Sequence, residues 1–142
     1  MTAVQQQTGM RGVYLVAAEM AARGLVVSPT SRSALGADLL VTDASCNRAF
    51  SVQVKTNGTS RTFWLLNRRA KELKARSHVY VFVNILTNKR TPEYFVVPSK
   101  VVAQRMRMIR RPNSTWYFLT QMDALRYRDK WQLLGAKHIR PT

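Results

Sequence analysis

The stretch GADLLVTDASCNRAFSVQVKT, residues 36–56, decides how this chain folds. In its second half Phe50, Val52 and Val54 alternate with Ser51, Gln53 and Lys55. A period of two marks a strand with one face in a core and the other face polar. In its first half Gly36 frees the backbone before Asp38-Leu39-Leu40-Val41-Thr42, another β-rich run. Between the two runs, Asp43-Ala44-Ser45-Cys46-Asn47-Arg48 reads as a hairpin turn. The stretch therefore predicts two adjoining strands, from Asp38 to Thr42 and from about Arg48 to Thr56.

Upstream, Gly9 to Arg23 has the composition of a largely buried helix, closed by Gly24 as its C-terminal cap. Leu25-Val26-Val27 follows as a first strand that Pro29 stops, and Ser28 to Ala34 is a polar loop carrying Arg32. Downstream of the Asn57-Gly58 turn, Thr62 to Leu66 is a short strand, and Asn67 to Arg76 reads as a basic helix with Asn67 as its N-cap. Val79 to Ile85 is apolar enough to be a central strand buried on both faces. After a basic turn over residues 86–92, Glu93 to Val97 forms the next strand, ended by Pro98, and Ser99 is placed to cap a helix over Lys100 to Met108. The remainder holds Trp116-Tyr117-Phe118-Leu119, a short helix near Gln121 to Tyr127, and Trp131-Gln132-Leu133-Leu134.

With the short Thr62–Leu66 strand left aside, this order, helix, three strands, helix, two strands and a helical or irregular tail, describes an α/β (α+β) protein with helices on the faces of one sheet. With 142 residues the chain has the size of one domain, its core at about residues 9–108 and an extension over residues 109–142. Its charge is unusual. Lys and Arg number 23 against 7 Asp and Glu, a net charge of +16, which points to an anionic partner, nucleic acid first. The single cysteine, Cys46, excludes an intramolecular disulfide and a multi-cysteine zinc site and suits a reducing, cytoplasmic setting. Residues Met1 to Thr8 carry no basic-then-apolar leader pattern, and no apolar run approaches the roughly 20 residues that span a bilayer, so no membrane partner is expected.

Acid is scarce in this chain, which gives the position of Asp38 its interest. Gln53 and Lys55 lie two apart on one strand and share its polar face, while Asp38, at the mouth of the adjoining strand, approaches that face from the side. A carboxylate, an amide oxygen and a backbone carbonyl are hard ligands suited to Mg2+ or Mn2+, and a lysine beside them can position and deprotonate a water or neutralise charge at a phosphate. The same row of Ser51, Gln53 and Lys55 is also what an ordinary solvent-facing strand carries. Further candidates are basic: Arg32 and Arg61, then Arg68, Arg69, Lys71, Lys74 and Arg76 crowding one predicted helix, and Arg105, Arg107, Arg110 and Arg111 another. At least one such cluster is expected to contact phosphates. His78 and His138 lack ligand spacing and read as structural or surface residues, and each of Trp64, Trp116 and Trp131 reads first as core, with base stacking as the other option.

Gly36-Ala37-Asp38-Leu39-Leu40, Gln53-Val54-Lys55-Thr56 and Glu93-Tyr94-Phe95-Val96-Val97-Pro98-Ser99-Lys100, together with a first helix ending in Arg23-Gly24, resemble the PD-(D/E)XK nuclease superfamily, which includes restriction endonucleases and Holliday junction resolvases. The resemblance covers about residues 12–100 and is closest to small prokaryotic members with a Gln-Val-Lys motif. It implies a restriction-endonuclease-like mixed sheet flanked by helices. It also implies that Asp38 and Gln53 hold the metal and that Lys55 is the catalytic lysine. Ala37 stands where proline is usual, and Gln53 where most members have Glu or Asp. Resolvase-like members often supply another acid from the first helix, at a position that corresponds to Val13. Glu19, the only acid of that helix, is the possible substitute, and it is also spaced to pair with Arg23 at i+4. The implied activity is metal-dependent DNA endonuclease, with a homodimer for paired cutting. The alternative is a non-catalytic nucleic-acid-binding module on the same fold.

Overall fold

The computed structural model describes residues 2–31, 36–59, 61–85 and 91–136. Helix α1 spans Ala3–Ala22. It begins two turns ahead of Gly9 because Thr2 and Gln5 form a capping box, the Thr2 hydroxyl accepting from the Gln5 N–H at 3.2 Å and the Gln5 side chain accepting from the Thr2 N–H at 3.0 Å. It ends at Gly24, whose φ of +81° suits glycine. α1 is not buried all round: Gly12, Val13, Val16 and Met20 form its inward stripe, while Tyr14 stays exposed.

Among the described residues eight strands follow: β1 (Val26–Pro29), β2 (Leu39–Thr42), β3 (Ala49–Asn57), β4 (Phe63–Leu66), β5 (His78–Asn84), β6 (Glu93–Pro98), β7 (Arg107–Arg111) and β8 (Ser114–Thr120). Five of them form a mixed central sheet in the order β1-β2-β3-β5-β6, with β3 and β5 parallel and the other pairs antiparallel. Strand β5 is buried along its whole length, as its unbroken apolar run predicts. β4, β8 and β7 make a second, antiparallel sheet.

The central sheet separates two cores. On one face Val13, Val16 and Met20 of α1 pack over Val52, Val54, Val81 and Val83, with Trp131 and Leu134 closing the end. On the other face Tyr80, Phe82, Phe95 and Val97 meet Trp64 and Leu119 of the second sheet and Val102 of helix α2 (Ser99–Arg105). The Trp64 indole N–H donates to the Val83 carbonyl at 3.0 Å and ties the two layers together.

Several sequence expectations are corrected. Asn67 to Arg76 is not an α-helix but a short 3-10 turn over Arg68–Lys71, and Asn67 makes no side-chain cap bond. A ten-residue helix with one buried side chain, Ala70, and like charges at i,i+3 (Arg68 with Lys71, Lys71 with Lys74) has too little packing to repay nucleation. The helix expected from Lys100 to Met108 stops at Arg105, and Ser99 is its first residue rather than its cap, donating its hydroxyl to the Ala75 carbonyl at 2.8 Å. Arg107, Arg110 and Arg111 thus lie on strand β7, and the expected helical or irregular tail contains the β7–β8 hairpin before helix α3 (Gln121–Ala124). Tyr117 and Phe118 are strong strand formers whose partner, β4, is remote in sequence. Pro29 does not stop β1 but ends it as a paired residue opposite Leu39. His138 and Arg32 lie outside the described residues, as does most of the basic turn over residues 86–92.

Gly12 lets α1 touch β3, because a Cβ at that position would overlap the Thr56 side chain. Gly12→Ala is expected to cost about 1–3 kcal/mol of unfolding free energy, read as a lower urea midpoint. His78 is buried, its Nδ1 2.7 Å from the Ser51 hydroxyl, and burial together with the charge of Arg69 lowers its pKa. The native state therefore binds fewer protons than the unfolded chain once pH falls below the free histidine value near 6.5, so stability falls with pH there. Urea midpoints taken at descending pH should show that decline, and His78→Asn should flatten it.

Candidate active site

The polar row of β3 is fixed by its pairing with β5. Ser51, Gln53 and Lys55 stand opposite His78, Tyr80 and Phe82, on the sheet face turned away from α1. Leu39 of β2 pairs with Val52, so the residue before it, Asp38, falls beside Gln53. The turn that delivers Asp38 is held down by Thr30, whose hydroxyl donates to the Ala37 carbonyl at 2.6 Å and whose N–H donates to the Asp38 carbonyl at 3.0 Å. Gly36 adopts φ +77° just ahead of it, a conformation that disfavours a side chain.

The Asp38 carboxylate is aimed by the backbone of β3. Its N–H donates to the Val52 carbonyl at 2.8 Å, and its Oδ2 accepts from the Val54 N–H at 2.7 Å, so the side chain extends the ladder where β2 has not yet begun. Among the described residues Oδ1 accepts no hydrogen bond, and neither Gln53 nor Lys55 makes a side-chain hydrogen bond. Burial lowers the Lys55 pKa, and the Asp38 carboxylate pulls it part of the way back. The two interact electrostatically without forming a direct ion pair. Opposite Gln53 in the middle of the row, burial pushes the Tyr80 hydroxyl up to about 12 and the nearby Arg69 opposes it, so Tyr80 stays protonated.

Lys55 also lines a cleft of about 580 Å³ with Gln5 and Thr8 of α1, Asn57, Gly58, Arg61 and Trp64; Asp38 and Gln53 lie outside that lining. Sequence reasoning missed Gln5, Thr8 and Asn57. The available signal was glycine: Gly12 permits α1 to sit on Thr56, and a Cβ on Gly58 would come within 2.9 Å of Thr8. Asn57 donates its amide to the Phe63 carbonyl at 2.8 Å and to the Asn84 side chain at 3.2 Å, anchoring β4 beside the cleft.

The other named residues are dispersed. Glu19 pairs with Arg23 at 3.5 Å, and its charge acts on Tyr94, a residue of the α1-side core, so its carboxylate is engaged away from Lys55. Val13 is buried in that same core. Arg61 is at the cleft, and Arg69 is near His78 and Tyr80. Arg68, Lys71 and Arg110 share a groove on the second sheet, while Arg107 pairs with Asp123 at 3.5 Å. Lys74, Arg105 and Arg111 are exposed. Trp64 and Trp131 are core residues and Trp116 is exposed.

Comparison with solved structures places this architecture. A Holliday junction resolvase from Archaeoglobus fulgidus, an archaeal hyperthermophile, superposes with a TM-score of 0.57 at 10% identity over 92% of this chain and 98% of its own. The chain has a restriction-endonuclease-like fold. A bacterial homing endonuclease superposes with a TM-score of 0.53 at 17% identity, over 94% of this chain and 90% of its own. No protein-family model matches the chain, and no curated protein matches it.

On this restriction-endonuclease-like fold the donors present are hard oxygens: Asp38 Oδ1, the Gln53 amide oxygen and the Val54 carbonyl, which leaves β3 on the same edge as the N–H bound by Asp38. Among the described residues no three His, Cys, Asp or Glu side chains cluster. The set fits Mg2+ or Mn2+, which keep several waters and take one or two protein oxygens plus phosphate oxygens, and does not fit zinc. Asp38→Ala should cost about 1–3 kcal/mol by leaving the Val54 N–H unpaired, whereas Asp38→Asn retains an acceptor and should cost less. Urea midpoints of the two variants measured side by side check this ordering.

Proposed function

We propose that this protein is a divalent-metal-dependent endonuclease that hydrolyses DNA phosphodiesters. The observation that carries it is the pairing of Asp38 and Lys55: a carboxylate aimed by the Val54 N–H stands close enough to a half-buried lysine to act on its pKa, without neutralising it by contact. Asp38 and Gln53 are the residues that would hold Mg2+ or Mn2+. The bound ion supplies Lewis-acid polarisation of the scissile phosphate.

The chain's own groups do the rest. Lys55, more readily deprotonated than a free lysine, orients a water and takes its proton as the water oxygen attacks phosphorus and the P–O bond to the leaving strand breaks. Arg61 in the same cleft binds the flanking phosphate. The net charge of +16 supports a polyanionic substrate, and the fold neighbours are named for Holliday junction resolution and for homing, both of which take place on DNA. Cutting both strands of a duplex calls for two such sites, hence a homodimer.

One observation favours a second reading, a DNA-binding module without catalysis: Gln53 is neutral, so among the described residues Asp38 is the single carboxylate placed for the metal. The two readings separate in one assay. Purified protein with Mn2+ should nick supercoiled plasmid and cut four-way junctions, and Asp38→Asn and Lys55→Ala should each slow cutting by at least about 100-fold at unchanged DNA affinity. Absence of cutting in Mn2+, with Asp38→Ala binding DNA as the parent does, would establish the binding module instead.

A further inference from the structure

The β7–β8 hairpin stands clear of the body. Tyr117 to Thr120 of β8 pair with β4, but Ser114, Thr115 and Trp116 pair only with β7, so the end of the hairpin is a two-stranded ribbon without a third neighbour. Every residue of β7 is exposed. The ribbon keeps large apolar side chains in solvent, with Ile109 and Trp116 each 43% exposed.

The register sorts these residues onto two faces. Met108, Arg110, Thr115 and Tyr117 share one face and, with Arg68 and Lys71, line a groove of about 440 Å³ in which the Lys71 ammonium lies 5.1 Å from the Tyr117 ring centre. Ile109 and Trp116 are paired on the other face, beside Arg111, whose guanidinium lies 5.3 Å from the Trp116 ring centre. Among the described residues Arg68, Lys71, Arg110 and Arg111 have no acidic partner. A protein partner's apolar patch would match Ile109 and Trp116 but not this unbalanced charge.

The geometry points to a ribbon that enters the major groove of duplex DNA, with the groove of Arg68, Lys71 and Arg110 tracking one phosphate strand and Arg111, Ile109 and Trp116 meeting base edges. A major groove of about 12 Å admits a two-stranded β-ribbon, arginine reads guanine O6 and N7, and apolar side chains meet the thymine methyl. The ribbon also has a fixed offset from the cleft. Thr120 lies opposite Phe63, whose carbonyl is held by Asn57 beside Lys55, and Ser114 is six residues along the same strand. At roughly 3.4 Å per residue the tip stands about 20 Å, or some six base pairs, from that end. The inference rests on the DNA reading above and adds where recognition occurs: on a segment away from the nuclease motif.

Binding to a 30-base-pair duplex of random sequence, measured by fluorescence anisotropy across a salt series without divalent metal, tests it. Arg110→Gln with Arg111→Gln should weaken binding and lower the slope of log affinity against log salt by about 1, the phosphate contact of Arg110. Trp116→Ala should weaken binding severalfold and leave the slope unchanged. A duplex with 7-deazaguanine throughout lacks the guanine N7 acceptor in the major groove only, and it should bind the parent more weakly but the double variant equally. An unchanged slope, equal binding of both duplexes by the parent, or a loss seen on a 30-nucleotide single strand but not on the duplex would overturn the ribbon. Thermal melting confirms that the variants fold, and if the double variant does not, Arg110→Gln alone should shift the slope by about 1. Cleavage separates the two proposals: ribbon variants that lose duplex binding in a protein that never cuts leave the ribbon standing without the nuclease. A protein that cuts, with ribbon variants that bind and cut like the parent, leaves the nuclease without the ribbon.

Discussion

The alternation of β3 is the constraint on which the rest depends. Its apolar residues, Phe50, Val52 and Val54, must enter the core under α1, so Ser51, Gln53 and Lys55 are driven to the opposite face. A slip of one residue would exchange the two sets, burying a lysine under α1 and exposing three core side chains, which no marginally stable domain of this size can sustain. The antiparallel pairing with β2 then sets Asp38 beside Gln53, and the parallel pairing with β5 sets Tyr80 and Phe82 against the polar row. The site is therefore a consequence of core packing: the force that orients Lys55 is the burial of Val52 and Val54 just before it in the strand.

Close approach of α1 gives that row its cleft. Gly12 lies against Thr56 and Thr8 against Gly58, so the helix seats on the end of β3 and brings Gln5 and Thr8 to the side of Lys55. Partial burial that results from this seating lowers the Lys55 pKa, and Asp38 limits the fall. The same contact explains why a helix with so polar an N-terminal half is held in place at all: its capping box starts it, but packing on β3 keeps it.

Charge is distributed with economy. Of seven acids, Glu19, Glu93, Asp123 and Asp129 each lie within reach of an arginine, and Asp43 accepts from the Asn47 N–H in the β2–β3 turn. Asp38, like Asp43, has a backbone N–H as its fixed partner, which orients a carboxylate without cancelling its charge, but Asp38 also acts on Lys55. The surplus cations gather on the second sheet and the 3-10 turn, leaving a field attractive to a polyanion over the face that carries Gln53 and Lys55.

The sequence by itself determined the local facts: the period of two in β3, the helical composition of α1 with Gly24 as its stop, the unbroken apolar run of β5, and a net charge that calls for an anionic partner. These were legible because each is written in neighbouring residues. Only the tertiary structure decided that Arg68–Lys71 is a 3-10 turn, that residues 107–120 form a hairpin, that Glu19 is taken by Arg23, and that Gln5 and Thr8 reach Lys55. The reason is physical. Whether a basic, weakly amphipathic segment becomes helix or strand is settled by the partner it packs on, and for β8 that partner is β4, some fifty residues earlier in the chain. The Asp38 and Lys55 positions belong to both halves: their residue types and strands were visible in the sequence, and the hydrogen bond that aims Asp38 along β3 exists only once β2 and β3 are paired.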